Sequence, residues 1–328
     1  MPDTYTKLPL EVATFSGDSM LKAQAQAASR VELNAPGSYP LGGTTPPVSE
    51  LARVARRITI PVRIMIRPRG PPADGSPDFV YSPAEVDQMA RSVLAFKRSG
   101  LMDPLRGDGF VFGLLAPPDL SVDRPSCRRL VRLARPYGCV FHRAFDRLAA
   151  RTRGGPLDPL DPLDALDALV DLGFQGVLTA GGPGPCAANV DTIAHLCHRW
   201  AGRLQIVVGG GLRHHNVAAV AGSLTGYEDD AVWLHTAALT GRPDHPDEEI
   251  DSDELVRLVT QLGSVPAPCA AAGRTRDPQD RAVCLSPPPP GSWALGPGLR
   301  KHNWPFANLT GEIPPPLPSL IPSYALPS

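Results

Sequence analysis

Residues 61–70 read PVRIMIRPRG. Side chains alternate between the two faces of a strand. Val62, Ile64 and Ile66 therefore share one face, while Arg63, Met65 and Arg67, with Arg69 beyond them, share the other. The first face is β-branched and suits a surface covered by helices. The second carries guanidinium groups, which are costly to bury without partners. A strand of this kind fits a sheet whose helix-covered side is apolar and whose opposite side faces an enclosed interior with polar company.

Working outward, short apolar or β-branched runs closed by polar or glycine residues recur at 8–14, 30–34, 109–115, 138–146, 176–182, 204–211 and 231–237. With 61–69 they make eight. Segments of helical period lie between them at 19–28, 48–57, 83–99, 124–134, 162–172, 190–200 and 216–221, with a last one at 253–262. Ser82 and Pro83 followed by Glu85 mark a helix start, with a cap residue and proline at the first helical position. Alternation of strand and helix implies parallel strands with crossover helices, and eight such units can close on themselves. The expected fold is a single-domain (β/α)8 TIM barrel over residues 1–262. An open doubly wound sheet is the alternative, and it predicts fewer strands and a different early glycine pattern.

Insertions interrupt the rhythm at 102–108 and at 151–161, the latter running into LDPLDPLDALDAL, whose prolines delay the helix. Residues 240–252 form another polar excursion. Residues 263–328 are rich in proline, with runs at 287–290 and 314–316. Such sequence buries too little apolar area to offset its ordering entropy, so a disordered tail is expected, with Trp293, Trp304 and Phe306 as local docking points. A proline-rich ligand for a partner domain is the other reading of this tail.

A formal net charge of -1 offers no polyanion-binding surface, so nucleic acid is not an expected partner. MPDTYTKLPLEV leads into the first run with no basic region, apolar stretch or small-residue cleavage site. No segment approaches the ~20 apolar residues of a membrane span. A cytoplasmic protein without a membrane partner is expected. Cys127, Cys139, Cys186, Cys197, Cys269 and Cys284 are scattered without a paired spacing, as reduced thiols are.

Alternation places Glu11 inward from the first run, Glu32 and Asn34 from the second, and His235 from the eighth. In the fifth, Phe141 and Phe145 turned to the helices would direct His142 and Asp146 inward and leave Arg143 at the rim. Buried charges must pair, so one outcome is an internal network of Glu11, Glu32, Arg63 and Arg67 that only sets packing. The other is a candidate catalytic site of Glu11, Glu32, Arg67, His142 and Asp146 at the C-terminal mouth, where barrels of this kind place their chemistry. His142 would serve there as acid, base or metal ligand, oriented by Asp146 or Glu32. Gly181 and Gly182, and Gly209, Gly210 and Gly211 with Arg213 nearby, supply a candidate anion-binding loop pair. Tight rim turns are the alternative for these glycines.

LEVATF, SRVELN, GGTTPP at 42–47, PVRIMIRPRG, GFVFGLL, VFHRAFD at 140–146, LTAGG and VVGGGLRHHN occur in this order over residues 8–262. The pattern resembles the CutC family of copper homeostasis proteins. The resemblance implies a TIM barrel, a cytoplasmic location, homo-oligomerisation and copper ion binding. Copper(I) prefers thiolate and thioether ligands. Where family members commonly carry a cysteine after the second-strand Glu-Leu, this chain has Asn34, which leaves Met65 and Cys186 as metal candidates. The group His195, Cys197 and His198 is a further thiol and imidazole cluster. Three functions follow: a copper-handling protein, an enzyme acting on a small anionic (phosphorylated) metabolite, or a non-catalytic scaffold whose tail engages partners.

Overall fold

The computed structural model describes residues 8–149, 162–224, 226–227, 231–241 and 248–263. The chain runs β1 (Leu10–Thr14), α1 (Gly17–Ala25), β2 (Arg30–Leu33), α2 (Val48–Val54), β3 (Val62–Met65), α3 (Pro83–Arg98), β4 (Gly109–Phe112), β5 (Leu115–Ala116) and β6 (Ser121–Val122). It continues with α4 (Arg124–Ala134), β7 (Gly138–Phe141), α5 (Phe145–Ala149), α6 (Pro162–Leu172), β8 (Gly176–Thr179), α7 (Val190–Trp200), β9 (Gln205–Gly209), α8 (Val217–Gly222), β10 (Val232–Thr236) and α9 (Ser252–Gly263).

Eight strands close into a barrel in the order β1-β10-β9-β8-β7-β4-β3-β2. All of its pairs are parallel, and β10 returns to β1 with Glu11 opposite His235. Closure removes the open-sheet alternative and leaves no unpaired edge. Outward residues such as Leu10, Val12, Val31, Leu33, Val62, Ile64, Phe110 and Phe112 are buried in one apolar layer with helix residues such as Met89, Val93 and Phe96. Each large side chain so covered contributes roughly 1.5–3 kcal/mol. A second, separate cluster of Met65, Val111, Val140, Leu178, Val207 and Trp233 fills the inside of the barrel.

Ser82 and Glu85 form a reciprocal capping box at the start of α3, with Pro83 in its first turn. The 102–108 insertion closes on Asp108, whose carboxylate accepts the backbone N–H of Val62 and Asp103 and pairs with Arg106.

Two runs end differently from their periodicity. Run 109–115 leaves the barrel after Phe112, and Leu115 and Ala116 pair antiparallel with Val122 and Ser121 around Pro117 and Pro118. Run 138–146 leaves after Phe141 because a turn takes over. The N–H of Phe145 bonds the His142 carbonyl, and that of Asp146 bonds the Arg143 carbonyl. Phe145 and Asp146 therefore open α5, and Asp146 reaches the barrel from a helix rather than by strand alternation. The insertion at 151–161 and the proline-rich segment 264–328, with the expectations attached to them, lie outside the described residues. No helix among the described residues is long and apolar enough to cross a membrane.

Candidate functional site

The barrel floor is polar and closed. Arg30, first in β2, pairs with Glu11, donates to the Gln205 side chain at 2.9 Å and lies over the Trp233 ring at 3.9 Å. Arg63 donates to the Gly138 carbonyl at 3.4 Å and to the Gln175 side chain at 3.3 Å. A Cβ on Gly109 would stand 1.8 Å from the Arg63 guanidinium, so the bare backbone there makes room for that side chain. The network that alternation allowed thus has other members: Glu11 takes Arg30 in place of Arg63 or Arg67.

Above the floor a cavity of about 600 Å³ opens at the C-terminal mouth. Its lining includes Glu32, Asn34, Met65, Arg67, Phe79, His142, Arg143, Asp146, Gly182, Gly210, Gly211, Arg213 and His235. The mouth gathers Glu32, Arg67, His142 and Asp146, four of the five residues of the candidate catalytic set, while Glu11 lies just beneath, behind His235.

His142 directly follows β7 and is 4% exposed. Its Nδ1 accepts the Ala144 N–H at 3.2 Å, which places the ring proton on Nε2. Nε2 is buried without a partner. Burial first, and the nearby Arg67 charge second, push its pKa down to about 3. At neutral pH the side chain is therefore an uncharged hydrogen-bond donor, not a base. Phe79 packs on it with ring centroids 4.8 Å apart, and bare Gly113 lies alongside, where a Cβ would be 2.6 Å from Nδ1.

Glu32, 3% exposed, accepts the Asn34 side-chain N–H at 3.1 Å through Oε1, while its Oε2 has no partner. Burial, together with the charge of nearby Glu11, raises its pKa against the pull of His235 and Arg30. Glu11 has the opposite balance. Burial would raise it, but Arg30 and the hydrogen bond and charge of His235 hold it down at about 2. His235 Nδ1 lies 2.7 Å from Glu11 Oε1. Burial opposes its protonated form, yet Glu11 and Glu32 raise its pKa overall. Glu11, Glu32 and His235 offer donor atoms that lie within 4.8 Å of one another.

Arg67 and Asp146 are engaged inside the protein. Arg67 donates to the carbonyls of Leu41 at 2.5 Å and Gly43 at 3.0 Å and to Asp78 at 2.9 Å. Asp146 accepts from Arg143 at 2.8 Å, the Thr179 hydroxyl at 2.6 Å and the Ala180 N–H at 3.0 Å. Burial raises its pKa, opposed by Arg143 and Thr179. It thus ties α5 to β8 and does not orient His142.

The glycine loops divide. The Gly181 N–H bonds the Thr179 hydroxyl at 2.8 Å, and the adjacent Ala180 N–H holds Asp146, so an internal carboxylate occupies the start of that loop. Gly182, Gly210 and Gly211 line the cavity. Gly209 lets His235 pack, since a Cβ there would meet the His235 Cβ at 3.0 Å. Arg213 donates to the carbonyls of Leu212 at 2.7 Å and Leu239 at 3.0 Å, joining two rim loops.

Among the described residues lining the cavity, Met65 is the only one bearing sulfur. Cys186 sits fully buried in a 3-10 turn, Cys186–Ala188, outside that lining, and burial pushes its thiol pKa up. One thioether is a poor fit for copper(I). Sequence reasoning missed the inward role of Arg30, although its position two residues before Glu32 carries the signal. It also missed Asp78 and Phe79, which come from a loop with no period to read.

The family profile that matches this chain is that of the CutC family, over residues 8–229. The chain belongs to the CutC family. It is 39% identical over 211 residues to a CutC family protein of Xanthomonas axonopodis pv. citri, covering 64% of this chain and 77% of that one. It is 34% identical to the copper homeostasis protein cutC homolog of Homo sapiens, covering 64% and 68%. Among solved structures, the copper homeostasis protein CutC of Streptococcus agalactiae superposes with a TM-score of 0.57 at 25% identity, over 70% of this chain and 98% of that one.

Proposed function

We propose that this CutC member is a cytoplasmic protein that binds a small, oxygen-rich anionic metabolite in its barrel mouth. The observation that carries this is the neutral, buried His142, whose Nε2–H has no protein partner and borders a cavity of metabolite size. A buried unsatisfied donor costs roughly 1–3 kcal/mol, and a ligand oxygen removes that cost. Arg143, Arg147 and Arg213 line the same cavity and supply the positive rim an anion requires. A neutral imidazole that donates to a carbonyl or phosphoryl oxygen polarises it without a proton transfer of its own.

The test is a thermal-shift screen of phosphorylated and carboxylated metabolites, with and without copper(I), on the full chain and on His142→Phe. A ligand at 100 times its Kd stabilises by ~2.7 kcal/mol. Hits on the native chain that vanish in the variant are expected. No hit, or hits indifferent to His142, would overturn the proposal.

Copper handling is the second reading, favoured by the names of the human and streptococcal relatives. For copper(I) it runs through Met65 and Cys186. A competition titration checks it: sub-micromolar affinity, on the order of that typical of specific binding, must fall in Met65→Leu or Cys186→Ser.

A further inference from the structure

We infer that Glu11, Glu32 and His235 form a site for one divalent transition-metal cation, with an open coordination position facing the mouth cavity. The three come from adjacent strands in the order β10, β1, β2 and point inward, with Glu11 opposite His235 and Glu32 two residues further along β2 than Arg30, the register partner of Glu11. Their donor atoms lie within 4.8 Å of one another. A cation with bonds of about 2.1 Å spaces its donors roughly 3–4 Å apart, so rotamer shifts of about 1–2 Å close the set.

Glu32 carries the inference. Its Oε2 is buried and without a hydrogen bond, although Asn34 holds the other oxygen in place. Arg30 offsets the charge of Glu11, but no arginine or lysine forms an ion pair with Glu32 among the described residues. A buried carboxylate oxygen without a hydrogen bond, facing a second carboxylate and an imidazole, is a donor set suited to a cation. His235 Nδ1 and Glu11 Oε1 already face one another at 2.7 Å, so a cation held by both would take the place of that hydrogen bond. Glu32 and His235 line the cavity, so the remaining positions on the ion open towards a ligand.

One imidazole and two carboxylates select borderline divalent ions and not copper(I), with affinity rising from Mn²⁺ to Cu²⁺ and lower again at Zn²⁺. The site shares the cavity of the proposed metabolite but does not depend on His142. Each is therefore tested alone: the metal titration contains no metabolite, and the metabolite screen is repeated with chelator.

The experiment is isothermal titration of the full chain with Zn²⁺, and electron paramagnetic resonance after one equivalent of Cu²⁺. One tight equivalent is expected, with a Cu²⁺ spectrum showing a single imidazole nitrogen. Glu32→Gln keeps an acceptor for Asn34, and it should weaken Zn²⁺ at least tenfold with little change in melting temperature. His235→Asn is the second variant should Glu32→Gln misfold, and His142→Phe should bind as the native chain does. Absence of stoichiometric binding, several nitrogens on the Cu²⁺, or affinity unchanged in both ligand variants would overturn the inference and assign any uptake to surface histidines such as His195 and His198.

Discussion

His142 makes the stability of this barrel depend on pH in a direction opposite to that of a salt-bridged histidine. Its pKa is about 3 in the folded chain, because burial and Arg67 disfavour the imidazolium, against the ordinary 6.5 once unfolded. Between those values the unfolded chain binds the extra proton, so stability falls as pH falls below about 6.5. From pH 7 to pH 5 the unfolded histidine passes from mostly neutral to mostly charged while the folded one stays neutral. The linkage integral over that interval is about 2 kcal/mol. The perturbation is His142→Phe, which keeps a ring against Phe79 and removes the titration. Its own cost, from the lost Ala144 hydrogen bond, is the same at every pH. Urea unfolding followed by tryptophan fluorescence and circular dichroism at pH 7, 6 and 5 gives the difference between the two chains, from which the other titrating groups cancel. The native chain should lose about 2 kcal/mol more than the variant. Parallel pH dependences, or a native chain that gains on the variant as the solution is acidified, would refute a buried neutral imidazole.

Arg30→Ala strands the Glu11 carboxylate in the barrel floor and should cost about 3–5 kcal/mol, read by urea unfolding and partly restored by adding Glu11→Gln. Gly109→Ala would put a Cβ 2.4 Å from the Gly138 carbonyl as well as against Arg63, and a loss of about 3 kcal/mol is expected in the same assay. Ser82→Ala removes half of the capping box of α3 and should lower stability by about 1 kcal/mol without affecting any ligand of the mouth, which calorimetry and the metabolite screen check together.

The barrel was legible because its strands carry two separate signals. Val62, Ile64 and Ile66 mark the helix side, and Arg63, Met65 and Arg67 mark the inner side, and both hold in the structure. Glu11 and Glu32 follow from the same alternation. The pattern misleads where the chain leaves the sheet. Phe145 and Asp146 continue the period of β7 but belong to a helix, since a turn at Arg143 and Ala144 takes the backbone hydrogen bonds a longer strand would need. Pairing partners were not legible either. Alternation tells which way Arg67 points but not that Leu41, Gly43 and Asp78 wait for it, because those residues arrive from loops whose path is set by closure of the whole ring.

Arg67 shows how fold and site are joined in this mouth. Read from its strand, it is a free cation aimed at an anionic ligand. In place, its two terminal nitrogens bond two loop carbonyls and Asp78, so it anchors the loops after β2 and β3, while its Nε is buried without a partner. Its charge still reaches His142 and is the second cause, after burial, of that side chain's neutrality. For the proposed metabolite a fixed guanidinium would therefore act through a neighbour: it keeps the imidazole uncharged and donating, while recognition of negative charge passes to Arg143, whose side chain is 46% exposed at the rim and gives its Nε to Asp146. The deep contact is then nearly independent of salt and the rim contact strongly dependent on it. A ligand that loses only part of its affinity at high ionic strength has the signature of this division.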